Sequence, residues 1–90
     1  MIRVTLLTTV GCERCIKVRH LLDMLKQAYP ELVTQEVDSN SITGQDLMAK
    51  YQVISTPGII INGKYHKLVG YTEKELRREF DAIRLHLQNI

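Results

Sequence analysis

The dipeptide Asn62-Gly63 restricts the fold of this chain more than any other feature. Both residues tolerate positive φ, and they stand between two strand-forming stretches, residues 58–61 and 65–69. Such a pair closes a two-residue hairpin, so the flanking stretches must be antiparallel neighbours. Upstream the pattern is different. Strand-like and helix-like stretches alternate there, and a strand reached through a crossover helix lies parallel to its predecessor. One sheet must meet both demands, which makes it mixed.

Periodicity places the individual stretches. Residues 2–7 form a first strand, with Ile2, Val4 and Leu6 on one face and Leu7 beginning to fill the other. Apolar residues on both faces predict a central strand covered on both sides. After residues 8–11 the period lengthens, and Val18, Leu21, Leu22, Leu25 and Ala28 mark a helix that starts near Cys12 and is closed by Pro30. Residues 32–37 are a second strand, followed by the polar linker Asp38-Ser39-Asn40-Ser41. A second helix spans residues 43–51, with Leu47 and Tyr51 one turn apart and Thr43 with Asp46 as its cap. Ser55-Thr56-Pro57 interrupts the chain before the hairpin, and Gly70 ends the sheet. Thr72 with Glu75 supplies a capping box for the last helix, whose stripe is Leu76, Phe80, Ile83 and Leu87. The order β-α-β-α-β-β-α predicts an α/β fold, a mixed four-stranded sheet flanked by helices, with residues 1–90 in one domain.

Composition narrows the function classes. With 44% hydrophobic residues and no low-complexity tract, the chain is globular. The net charge of +2 is slight. Arg14, Lys17 and Arg19 form one basic cluster and Arg77 with Arg78 another; both read as solvated helix faces. Neither is interleaved with aromatic residues, so no nucleic-acid partner is expected. No apolar stretch reaches the length of a membrane span, and the opening segment reads as strand rather than as a targeting signal. The expectation is a cytoplasmic monomer that needs no partner to close its core and no membrane.

In that reducing setting the only two cysteines, Cys12 and Cys15, are expected to be reactive. A helix N-terminus leaves amide hydrogens without internal partners and carries positive potential, and both favour a thiolate at Cys12. Cys15, one turn on and partly covered, keeps a higher pKa. Residues three apart share a side of the helix, so the two sulfurs can meet in a disulfide. Arg14 favours a nearby anion and Glu13 opposes it. Two other readings stand beside this one: a redox-inactive binding module, and a thiolate metal or iron–sulfur scaffold completed by a second subunit or glutathione. His20, His66 and His86 are scattered and form no cluster with the cysteines; His66 reads as a solvated edge-strand residue. A cis bond at Thr56-Pro57 would turn the Thr56 backbone toward the thiols, free to pair with an extended peptide.

Strand, Cys12-Glu13-Arg14-Cys15 helix, strand, helix, Ser55-Thr56-Pro57, hairpin and final helix together resemble the thioredoxin-like superfamily, especially its small glutaredoxin-like and redoxin branches. The resemblance spans nearly the whole chain. It implies a dithiol–disulfide oxidoreductase in which Cys12 is the nucleophile, Cys15 the resolving thiol and Pro57 the facing cis proline. It implies substrate contacts from Arg14, Thr56, Pro57, Gly70 and Tyr71. It further implies protein or small-molecule disulfides as substrates, disulfide-containing proteins as partners, no tightly bound cofactor, and glutathione or a flavoprotein reductase as electron donor. The chain departs from its relatives at several points. Val10-Gly11 stands where thioredoxins carry a tryptophan, Glu13-Arg14 replaces their Gly-Pro pair and the Pro-Tyr pair of glutaredoxins, Leu6 stands where many thioredoxins carry a buried aspartate, and Gly70-Tyr71 replaces the paired glycines of typical glutaredoxins.

Overall fold

The computed structural model describes residues 1–88. Its elements are β1 (Ile2–Thr8), α1 (Glu13–Leu25), β2 (Leu32–Asp38), α2 (Ile42–Lys50), β3 (Gly58–Ile61), β4 (Lys64–His66) and α3 (Glu73–Gln88). The sheet order is β2-β1-β3-β4. β1 pairs parallel with β2 and antiparallel with β3, and β3 pairs antiparallel with β4. The sheet is mixed and four-stranded as expected, but β3, reached through α2, runs antiparallel to β2 instead of parallel, because it enters on the far side of β1 and pairs there antiparallel. Asn62 and Gly63 take φ of 50° and 79°, the backbone a two-residue turn requires. Asn62 also closes the end of β1: its N–H donates to the Arg3 carbonyl at 2.8 Å and its Oδ1 accepts the Arg3 N–H at 2.8 Å.

The central strand divides two apolar layers. Ile2, Val4 and Leu6 of β1 join Ile59 and Ile61 of β3 against Val18, Leu22 and Leu25 of α1 and Leu76 and Phe80 of α3. On the other face Leu7, Val37, Val53 and Ile60 pack with Leu47, Met48 and Tyr51. The alternation of strand side chains is therefore used on both sides, by two helices on one face and one on the other. No described helix is long and apolar enough to cross a membrane.

Several boundaries differ from the sequence reading, each for a local reason. α1 ends at Leu25 rather than at Pro30, because the Leu25 carbonyl accepts both the Ala28 N–H at 3.1 Å and the Tyr29 N–H at 2.8 Å. That tightened turn leaves Ala28 exposed and swings Tyr29 into the core, edge-on to Phe80 with ring centroids 5.2 Å apart. Ser41, not Thr43, caps α2, its Oγ accepting the Gly44 N–H at 2.9 Å. β4 stops at His66 instead of reaching Val69, because the Val69 and Gly70 amides are drawn away to the Glu75 carboxylate. His66 is no solvated edge residue: its Nδ1 lies 2.9 Å from Glu79 Oε2. Leu87, on the expected stripe of α3, is half exposed.

Candidate active site

Cys12 is the N-cap of α1, with extended backbone (φ −84°, ψ 106°) and its Sγ accepting the Cys15 N–H at 3.1 Å. A sulfur so placed faces the orphan amides of the first turn, where a thiolate is favoured. Gly11 reaches φ 83° immediately before it, and the Cys12 N–H returns to the Thr9 carbonyl at 3.2 Å. The loop thus folds back on itself and delivers Cys12 to the helix start. Cys12 and Cys15 are joined as a disulfide. Cys15 is buried against the core, while Cys12 is only half-buried. Among the described residues no group of three or more His, Cys, Asp or Glu side chains is placed to hold a metal ion.

The Thr56-Pro57 bond is cis and Pro57 is buried. Thr9, absent from the sequence-level candidates, ties this loop to the first: its hydroxyl lies 2.5 Å from that of Thr56 and 3.4 Å from that of Ser39. One threonine therefore touches both the Cys12 loop, through its carbonyl, and the proline loop, through its hydroxyl. No sequence signal marks Thr9, since a threonine at a strand end is ordinary.

Arg14, Gly70 and Tyr71 come together on the other flank. The Arg14 guanidinium lies over the Tyr71 ring, 5.6 Å from its centroid, and both residues line a groove of about 320 Å³ with Lys17, Val18, Leu21, Gly70 and Thr72. Tyr71 holds φ 53°, and burial pushes its phenol above the usual value. Glu75 fixes this turn. Its carboxylate accepts the N–H groups of Val69 at 2.9 Å, Gly70 at 3.0 Å and Thr72 at 3.0 Å, and these bonds, with Thr72 foremost, hold its pKa below the ordinary range. The capping box read from Thr72 and Glu75 is present, with Thr72 Oγ1 accepting the Glu75 N–H at 3.2 Å.

The comparisons with known proteins agree with this geometry. The family model of the thioredoxin domain matches residues 2–80. No curated protein matches the chain significantly. Among solved structures it is similar to the oxidized mitochondrial thioredoxin 3 of Saccharomyces cerevisiae, with a TM-score of 0.72 and 19% identity over 90% of this chain and 77% of that one. It is similar also to the thioredoxin of Trypanosoma brucei brucei, with a TM-score of 0.72 and 22% identity over 92% of this chain and 74% of the other. A malarial protein gives 0.73 and 21%, over 91% and 96% respectively. At such identities these likenesses carry the fold. The family match runs from the start of β1 to Phe80 in α3 and encloses every part of the dithiol site, so the chain belongs to the thioredoxin domain family.

Proposed function

We propose that this protein is a dithiol–disulfide oxidoreductase. The observation that carries the reading is the Cys12 sulfur at the N-cap of α1, bonded to the Cys15 amide and within disulfide reach of the Cys15 sulfur. In the reduced protein the Cys12 thiolate attacks a target disulfide and forms a mixed disulfide. Cys15 then attacks Cys12, releasing the reduced target and leaving the oxidised pair. Thr56 and Pro57 form the neighbouring wall, where the Thr56 backbone pairs with an extended substrate segment. Arg14, Gly70 and Tyr71, which share a groove beside α1, contribute further substrate contacts.

The substrates in this reading are disulfide-bearing proteins, and the dithiol is regenerated by glutathione or by a flavoprotein reductase in a reducing compartment such as the cytoplasm. Reduction of a model protein disulfide, coupled in turn to each donor, tests both halves. Cys12→Ser is expected to abolish turnover, and Cys15→Ser to stop it at a covalent mixed disulfide visible by mass spectrometry. Equal turnover by the two variants would overturn the assigned roles. If the double variant kept full cellular function, the redox-inactive binding module would be the better reading.

A further inference from the structure

The loop that carries Thr56 is held by very little between its two ends. Upstream, Val53 is buried and its N–H donates to the Met48 carbonyl at 2.9 Å. Downstream, Pro57 is buried at the entry to β3. Between them Ile54 and Ser55 are exposed, and residues 54–56 make no backbone–backbone hydrogen bond among the described residues. Their one hydrogen bond there joins the Thr56 and Thr9 hydroxyls at 2.5 Å. A β-branched side chain has few χ1 states, so fixing the Thr56 hydroxyl also fixes how its backbone is turned. Thr9 is itself braced at the end of β1: its hydroxyl lies 3.4 Å from that of Ser39, whose N–H donates to the Thr8 carbonyl at 2.7 Å.

The dithiol is held by other bonds. The Cys12 N–H donates to the Thr9 carbonyl at 3.2 Å, the Ile16 N–H to the Cys12 carbonyl at 3.3 Å, and the Cys15 N–H to Cys12 Sγ at 3.1 Å. None of these uses the Thr9 hydroxyl. Thr9 therefore serves the cysteines through its main chain and the proline loop through its side chain, and a substitution can separate the two.

We propose that Thr9 is a positioning residue for substrate capture, its hydroxyl holding the Thr56 backbone in the orientation that presents an extended disulfide-bearing peptide to Cys12. The proposal rests on the dithiol reading above. In capture, the Cys12 thiolate attacks the peptide sulfur and a Cys12–peptide disulfide forms. The former partner sulfur leaves as a thiolate with the electron pair of the broken bond. Alignment for that attack depends on where the peptide backbone is held, and so on Thr56 and Thr9. In resolution, Cys15 attacks Cys12 within one helical turn, where the Thr9 hydroxyl has no part. A disulfide without a peptide backbone has nothing to pair with Thr56, so its capture is independent of that hydroxyl too.

Stopped-flow mixing of the reduced protein with two probes tests this. One is an extended peptide whose single cysteine is disulfide-bonded to an aromatic thiol; the other is the symmetric disulfide of that thiol. The aromatic thiolate absorbs visible light and is the better leaving group, so its release from the peptide times the attack by Cys12. T9V is expected to slow that release about fivefold, the loss expected for one ordinary hydrogen bond. With the symmetric disulfide both phases, the first from Cys12 and the second from Cys15, stay at the wild-type rates. T9S, which keeps the hydroxyl, restores the peptide rate. T56V makes the same comparison from the other side of the bond, and the T9V/T56V protein is no slower with the peptide than either single variant. An unchanged peptide rate in T9V, equal slowing with both probes, a slowed second phase, failure of T9S to recover, or additive losses in the double variant overturns the proposal. A wild-type protein that releases no thiolate from either probe overturns the dithiol reading itself, and the two failures are thereby distinct.

Discussion

Gly44 marks how closely single residues are fitted around the site. A Cβ at this position would collide with the Asp38 carbonyl oxygen and come within 2.8 Å of the Ser39 Cα, both backbone atoms with little room to yield. Ser41 completes the junction by donating its hydroxyl to that same Asp38 carbonyl at 2.6 Å. Gly44→Ala is expected to cost about 1–3 kcal/mol, as other overpacked positions do, measured by urea unfolding. An unchanged midpoint would mean that α2 slides freely over the end of β2. The local pattern around Thr43 and Asp46 could not announce this arrangement, because the competing cap at Ser41 is selected by where β2 ends. Glu36 was equally hidden. Its pair with Arg19, whose Nε and Nη2 donate at 2.5 and 2.8 Å, depends on the β1–β2 register, which no spacing along the chain specifies. Cys12 and Cys15 were legible because their chemistry is local to one helical turn.

Among the elements, α3 is anchored by apolar burial and by a polar clasp. Phe80 is wholly buried and packs edge-on against Tyr29, so Phe80→Ala should cost about 3–5 kcal/mol by chemical denaturation. The clasp is Arg84, which donates to Glu31 through Nε at 2.5 Å and Nη2 at 2.9 Å, and to the Ala28 carbonyl at 2.8 Å, while stacking 4.2 Å from the Tyr29 centroid. These Arg84 bonds, helped by the Glu31 backbone amide, lower the Glu31 pKa from 4.5 to about 2. Because the folded value lies below the unfolded one, the unfolded chain binds more protons in between. The contribution is whole above about pH 4.5 and is lost as pH falls toward 2. E31Q should therefore melt at a lower temperature at neutral pH and show a shallower decline in thermal stability between those values. Partial exposure makes the effect sensitive to added salt. The apolar stripe of α3 was legible from Leu76 and Phe80; Leu87 departs from it, standing half exposed where the expected stripe continues. The shortened β4 was not legible, since it depends on which acceptor captures the Val69 and Gly70 amides.

At the scale of the molecule, the fold rests on its two apolar layers rather than on its disulfide. The bridge closes a sequence separation of only 3, which in the chain-entropy account restricts the unfolded state by about 2 kcal/mol. A Cys12→Ser/Cys15→Ser protein is expected to keep the wild-type far-ultraviolet circular dichroism and to lose no more than about that amount on urea unfolding. Collapse of the fold in that variant would place the disulfide among its structural supports. The mixed sheet was readable from the Asn62-Gly63 hairpin and the α1 crossover, whereas the direction of β3 was not, since the α2 connection returns the chain antiparallel to β2. Thr9 has a consequence of another kind. Loops ordinarily absorb inserted or deleted residues at small cost. Here the Cys12 loop and the proline loop are stitched through one side chain, so a length change in either pulls the other out of place. The two segments must vary together in related chains, as though they were a single loop written in two parts of the sequence.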